Sequence, residues 1–153
     1  LSSVRRAVAL LRMRAINTWG WRNNPMSNIH KFPFAIAYAD TDAGGIVYHG
    51  RYIEIAERAR MNWLHGMAAA DGDVGFVIRE LNIKYIRPLK LGDEFTVEST
   101  IAHVGAASLS LEQKFVRDGE IYAILNGTAA YIGGDMHPKR IPDQILQKIT
   151  AEQ

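Results

Sequence analysis

The feature that most constrains the fold is a change in the spacing of apolar residues along the chain. From residue 50 to about residue 66, apolar side chains recur every three or four residues, as on one face of a helix: Tyr52, Ile55, Ala56, Ala59, Trp63 and Met67. From residue 81 onward, apolar and polar residues alternate in successive short segments, which is the period of a strand with one buried face. A helix followed by a run of strands predicts an α+β domain with an antiparallel sheet.

The alternation predicts strands at residues 81–85, 95–101, 109–115 and 121–131, and the aromatic segment 32–39 is predicted as a first strand. Turns are expected at residues 91–93 and at Asp118-Gly119, a pair typical of tight hairpins. Pro142 is expected to open a short helix that reaches about residue 150.

Composition suits one globular domain, with 48% hydrophobic and 22% charged residues. The chain has no cysteine, which excludes disulfides and thiolate nucleophiles and fits a cytoplasmic location. Residues 1–25 hold five arginines and no acid. We predict that this leader is disordered or not native, with possible weak membrane-surface contact, and that residues 26–153 form the domain. The leader explains the basic pI, so nucleic-acid binding is not predicted.

The segment from Tyr38 to His49 brings together the parts of an ester-cleaving site. It carries the carboxylate of Asp42, a glycine pair at Gly44-Gly45 and a histidine at the predicted helix start. Glycines allow close approach of a ligand to the backbone, and free N–H groups at a helix start can stabilise an oxyanion. A lone aspartate in a loop more ordinarily caps the chain, but the neighbouring glycines and helix start favour a chemical role for Asp42. His49 alone could equally be an acid, a base or a residue that merely orients the loop.

Other residues are open to two interpretations. Tyr38 and Tyr48 could line a pocket or pack in the core, and we place both, with Gly45 and Val47, among the predicted substrate-binding residues. Glu57 could be a rival base, although a surface or interface ion pair with Arg60 is the simpler expectation. The histidines lack the spacing of metal ligands, so no metal site is predicted.

Together these residues resemble a known family. Tyr38, Thr41, Asp42, Gly45, Val47, Tyr48, His49 and Tyr52, then Glu57, Ala59 and Arg60, resemble the signature of the 4-hydroxybenzoyl-CoA thioesterase family, and the chain is most similar to its Tol–Pal-associated acyl-CoA thioesterase branch. Later positions fit as well, namely Ile83, Tyr85, Pro88, Gly92, Asp93, Gly105, Ser108, Leu109 and Gln113.

The resemblance implies a hotdog fold, in which a five-stranded antiparallel sheet wraps one long central helix. It implies a homodimer or homotetramer with the site at the dimer interface, and hydrolysis of a short-chain aliphatic or small aromatic acyl-CoA without a cofactor. Asp42 matches the catalytic carboxylate of the family, as nucleophile or as general base. The N–H of His49 matches the donor that polarises the thioester carbonyl.

One stretch departs from the family. Some members carry a basic cluster before the position of Ser108 that binds CoA phosphates, whereas this chain has Val104, Gly105, Ala106 and Ala107 there. We therefore consider Arg87 and Lys90, and also Lys139 and Arg140, as phosphate-binding cations, or equally as solvated surface charges.

Two alternatives remain open at this point. A hotdog dehydratase acting on acyl thioesters would use a histidine and a carboxylate, but the segment around Asp42 argues against it. A non-catalytic acyl-CoA sensor or membrane-surface scaffold would bind the ligand without turnover.

Overall fold

The structure is a computed structural model that describes residues 29–64 and 69–151. The predictions for residues 1–25 therefore lie outside the described residues. In chain order the elements are β1 (His30–Ala35), a 3₁₀ turn (Tyr38–Asp40), α1 (His49–Trp63), β2 (Gly75–Tyr85), β3 (Glu94–Val104), β4 (Ser108–Arg117), β5 (Glu120–Ile132) and α2 (Asp143–Ala151). In this described part, no helix is long and apolar enough to cross a bilayer.

The strands form one five-stranded sheet in the order β1-β3-β4-β5-β2, and all neighbours are antiparallel. The predicted α+β fold with a five-stranded antiparallel sheet is thus confirmed. β1 and β2 are its two edges, so β2 pairs with β5 on one side only. The hairpin at Asp118-Gly119 joins β4 to β5, and both residues have the positive φ that such a turn requires.

The helix α1 packs its apolar face on the inner face of the sheet. Tyr52, Ile55, Ala56 and Ala59 are buried there, as the spacing predicts, against inward-facing residues of the central strands such as Val97, Phe115 and Leu125. The inward residues on β3 and β4 are the alternate ones, including the polar Ser99 and Gln113. Packing of this apolar face on the sheet stabilises α1.

The prediction of one long central helix is wrong. α1 contains 15 residues and ends at Trp63, with the N–H of Leu64 bonded to the carbonyl of Arg60. Gly66 and Met67, which the sequence prediction included, lie outside the described residues. A second helix, α2, buries Ile145 and Ile149 in the same core, so both helices contribute to it.

The strand β2 begins earlier than its sequence predicts. Its pairing with β5 shifts register between Ile78 and Glu80, a β-bulge that changes which face each side chain takes. Phe76 before the bulge and Leu81 and Ile83 after it therefore all pack against the core. Strict alternation of apolar and polar residues therefore predicts only the part of β2 that follows the bulge.

Candidate active site

The loop between the 3₁₀ turn and α1 is a small closed turn built around Asp42. The N–H of Asp42 donates to the carbonyl of Ile46 at 2.9 Å, and the N–H of Gly45 donates to the carbonyl of Asp42 at 3.0 Å. Gly45 has a φ of 75°, in the region where a side chain would be strained. The Asp42 carboxylate accepts a hydrogen bond from the N–H of Gly44 through Oδ1 at 2.8 Å.

The carboxylate of Asp42 faces solvent. Within the residues that the structure describes, its second oxygen, Oδ2, accepts no hydrogen bond. A Cβ on Gly44 would come within 3.1 Å of Asp42 Oδ1, so the glycine keeps the space beside the carboxylate open. The loop therefore presents one fixed and one free carboxylate oxygen at the surface of this chain.

A buried ion pair ties this loop to α1. Asp40 is 3% exposed and its Oδ1 accepts from Arg51 Nε at 3.0 Å and Nη2 at 2.6 Å. Its Oδ2 accepts from the N–H of Ala37 at 2.9 Å, and its carbonyl accepts from the N–H of Tyr48 at 2.9 Å. Sequence reasoning missed Asp40 and Arg51. Asp40 was visible only as the first acidic residue of the chain, one of two carboxylates in the motif.

We expect Asp40→Ala to lower the free energy of unfolding by about 2 kcal/mol, since the Arg51 guanidinium and the N–H of Ala37 both lose their charged acceptor. Arg51 also pairs with the exposed Glu54. Glu54→Ala is the matched control, because it removes the other partner of the same arginine, and it should cost less than ~1 kcal/mol. Urea unfolding of both variants measures this. Equal losses in the two variants would show that Asp40 does not hold the loop.

The start of α1 offers backbone donors next to this loop. Tyr48 caps the helix with no side-chain hydrogen bond, and the N–H of Arg51 is taken by the carbonyl of Tyr48. The N–H groups of His49 and Gly50 have no backbone acceptor within the described chain, as is usual in the first turn. They add to the positive end of the helix dipole.

Two tyrosines hold the helix start in place. The hydroxyl of Tyr85, on β2, donates to the carbonyl of His49 at 2.8 Å. Burial, and then the neighbouring Tyr48, raise the pKa of Tyr85, which keeps this hydroxyl protonated. The rings of Tyr48 and His49 contact each other with centroids 4.3 Å apart. The imidazole of His49 is exposed, and its contact with the Tyr48 ring holds it next to the Asp42 loop.

The predicted substrate-binding residues divide into two groups. Tyr38 is 83% exposed and Tyr48 47%, so neither packs in the core of this chain. Gly45 lies at the tip of the Asp42 turn. Val47 is buried in the core, and its N–H donates to the carbonyl of Leu89. Val47 therefore anchors the loop to the core of the chain.

The cations considered for CoA phosphates lie in different settings. Lys90 is exposed, and its backbone forms a bridge with Ile46, which places it beside the Asp42 loop. Arg87 forms an exposed ion pair with Glu120. Lys139 pairs with Asp73, a contact that raises the pKa of the lysine, and Arg140 is exposed. Lys90 is therefore the cation that the fold brings to the site.

The expected surface pair between Glu57 and Arg60 does not form. Arg60 is buried, and its Nη1 donates to Oε1 of Gln113 at 2.7 Å, while Glu57 remains exposed. Gln113 in turn donates to the carbonyl of Ala56 and to Oγ of Ser99, both at 3.0 Å. This polar bracket links α1 to the sheet, and the sequence could show only that Gln113 lies on the inward face of β4.

Among residues 29–64 and 69–151, no cluster of three or more histidine or acidic side chains is arranged to hold a metal. The chemistry that the site offers is that of a carboxylate, an imidazole and free backbone donors. A carboxylate beside donors for a developing oxyanion is suited to cleavage of an activated acyl bond.

Comparisons with known proteins identify the family of the chain. The family model described as the thioesterase-like superfamily matches residues 36–149. A relative named acyl-CoA thioesterase YbgC, from Haemophilus influenzae, is 32% identical over 127 residues, which cover 78% of this chain and 93% of the relative.

Solved structures give the same picture. A probable thioesterase from Bartonella henselae superposes with a TM-score of 0.68 at 29% identity and covers 75% of this chain and 100% of its own. The structure of the gentisyl-coenzyme A thioesterase BH1999 has a TM-score of 0.69 at 22% identity, with 78% of this chain and 98% of that chain covered, and supports the fold alone.

Proposed function

The chain belongs to the thioesterase-like superfamily, and on that premise we propose that it hydrolyses an acyl-CoA with a short aliphatic or small aromatic acyl group. The family resemblance identified in the sequence is confirmed, and so is the prediction of a thioester hydrolase. The observation that carries the proposal is the exposed carboxylate of Asp42 on a closed turn directly before the free N–H groups of α1.

In the proposed reaction, the thioester carbonyl oxygen accepts a hydrogen bond from the N–H of His49 at the helix start. Asp42 then either attacks the carbonyl carbon, giving a mixed anhydride, or takes a proton from water that attacks it. The C–S bond breaks and CoA leaves as the thiolate, which takes up a proton. Water supplies the second oxygen of the free acid, so no cofactor is required. His49 contributes the imidazole as acid, base or hydrogen-bond anchor.

We also propose that the chain acts as a homodimer at least. The family resemblance further leads us to propose a homotetramer. Support comes from the unpaired edge of β2 and from exposed apolar side chains on and beside it, including Val77, Ile78 and Ile86. The exposed Tyr38 and Tyr48 would then line the substrate site from one side, with the second subunit on the other. Sedimentation of the purified chain tests this, and a monomer would contradict it.

Lys90 and Arg87 are proposed to meet the CoA phosphates, Lys90 with the better position. A cytoplasmic location, and weak surface contact of residues 1–25 with anionic lipid, complete the proposal. Salt should release such contact, because surface charges are screened over about 10 Å at 0.1 M salt.

The substrate class is tested by steady-state CoA release from acetyl-, butyryl-, hexanoyl-, palmitoyl-, benzoyl-, phenylacetyl- and 4-hydroxybenzoyl-CoA. We expect kcat/KM to be highest for the short aliphatic or small aromatic thioesters and lowest for palmitoyl-CoA. A preference for palmitoyl-CoA would contradict the acyl class. Hydration of crotonyl-CoA without CoA release would instead identify a dehydratase-type enzyme.

A further inference from the structure

A cavity of about 370 Å³ lies between α1 and the strands β2, β4 and β5. This volume is in the range of small-molecule sites. Most of its lining is apolar, from residues such as Ile53, Met61, Phe76, Ile78, Leu81 and Leu111. Two charged side chains also line it, those of Glu57 and Arg60. Such a lining suits a ligand with an apolar body and an anionic group.

The cavity continues the helix face that begins at the candidate site. His49, Ile53, Glu57 and Arg60 follow one another at spacings of four, four and three, so they lie on one stripe of α1. At a rise of ~1.5 Å per residue, Ile53 lies about 6 Å and Arg60 about 16 Å along the axis from His49. Side chains lean toward the helix N-terminus, which brings the guanidinium several ångströms closer to that end.

Arg60 has unused hydrogen-bonding capacity. The residue is 8% exposed, yet a guanidinium carries five N–H donors, and in the described chain this one makes a single hydrogen bond, to the neutral amide of Gln113. Burial lowers the pKa of Arg60, and the charge of Glu57 partly offsets this. No described carboxylate lies within ion-pair distance of Arg60. A buried cation with one neutral acceptor is costly unless an anion joins it.

We infer that this cavity receives the acyl group of the substrate, and that Arg60 selects acyl groups whose far end carries a carboxylate. The inference rests on the thioesterase function proposed above and narrows its substrate class to dicarboxylic monothioesters. The apolar lining takes the methylene chain, and the guanidinium pairs with the terminal carboxylate, which it can bind through two parallel hydrogen bonds.

Glu57 opposes this binding and so gives a second test. Its exposed carboxylate shares the cavity lining and repels an anionic acyl group. Solvent screens Glu57, whereas the buried Arg60 acts at closer range and lower dielectric, so attraction prevails. Removal of the Glu57 charge should strengthen binding of a carboxylate-ended acyl group and leave a methyl-ended one little changed.

The experiment compares adipyl-CoA with hexanoyl-CoA, two thioesters with the same number of acyl carbons. The readout is the ratio of their kcat/KM values, because the ratio is independent of the folded fraction of each variant. Arg60→Gln should lower the adipyl-to-hexanoyl ratio at least about tenfold, the scale of one charged hydrogen bond. Glu57→Gln should raise it several-fold, and Arg60→Lys should retain part of the preference.

An unchanged ratio in Arg60→Gln would overturn the inference while the thioesterase function stands. A weaker dimer of Arg60→Gln with an unchanged adipyl-to-hexanoyl ratio would also overturn it, because Arg60 would then pair with a second subunit. If no thioester is hydrolysed, the proposed function fails. Calorimetric titration with adipyl-CoA and hexanoyl-CoA then tests the ligand preference of the cavity by itself. Tighter binding of adipyl-CoA than of hexanoyl-CoA that is lost in Arg60→Gln would support the inference, and equal affinities would overturn it.

Discussion

Replacement of Asp42 by asparagine is expected to lower kcat for CoA release by roughly 10²- to 10⁴-fold, the usual contribution of a positioned acid or base. The loop should survive, because the asparagine oxygen can still accept the hydrogen bond that Asp42 Oδ1 receives from the N–H of Gly44. The substitution removes the negative charge and the nucleophilic oxygen alone. Affinity for acyl-CoA should change little.

The matched control is Asp71→Asn, which removes one exposed carboxylate from another loop. It should leave kcat within a factor of about two, since exposed substitutions away from a site have small effects. If Asp42→Asn retains more than a tenth of the wild-type rate, the catalytic carboxylate lies elsewhere. Glu57, on the same helix face as His49, would be the next to test.

Replacement of His49 by proline is expected to lower kcat a further 10²- to 10³-fold relative to His49→Ala. Loss of one oxyanion donor typically raises the barrier by ~2.7–4 kcal/mol. Proline removes the N–H of residue 49 as well as the imidazole, whereas alanine removes the imidazole alone. The difference between the two variants therefore isolates the backbone donor.

The fold should accept proline at this position. His49 is the first residue of α1, where proline is well tolerated because its missing N–H makes no intrahelical bond. Tyr48, the residue before it, already has φ −58° and ψ 132°, the extended conformation that precedes proline. Circular dichroism and the free energy of unfolding serve as controls. Equal kcat values for His49→Pro and His49→Ala, with both variants folded, would exclude this N–H as the oxyanion donor.

The parts of the fold that the sequence predicts are those set by local periodicity. The buried face of α1, the alternation on β3 and β4 and the turn at Asp118-Gly119 each follow from residues a few positions apart. The first half of β2 escaped prediction because the bulge after Ile78 breaks its alternation. The length of α1 was overestimated, since Gly66 alone does not mark where the backbone leaves the helix.

The contacts that position the site join residues far apart in the chain. Arg51 could pair with any acid in reach, and only the path of the loop brings it to Asp40, 11 positions earlier. Arg60 and Gln113 are 53 positions apart and meet because β4 passes beneath α1. A helical spacing of three made Glu57 the obvious partner of Arg60, but burial turned the guanidinium toward the sheet. The residues of the motif could therefore be predicted from the sequence, whereas the long-range contacts that hold them in place could not.

The most direct test is to measure CoA thiol and free acid together from hexanoyl-CoA and benzoyl-CoA, with wild-type chain and Asp42→Asn at equal concentrations. We predict that the wild type releases both products in equal amounts over many turnovers, and that the variant binds the thioesters but releases almost none. Folded wild-type protein that binds acyl-CoA and releases no thiol would contradict the thioesterase function and indicate a non-catalytic acyl-CoA-binding protein.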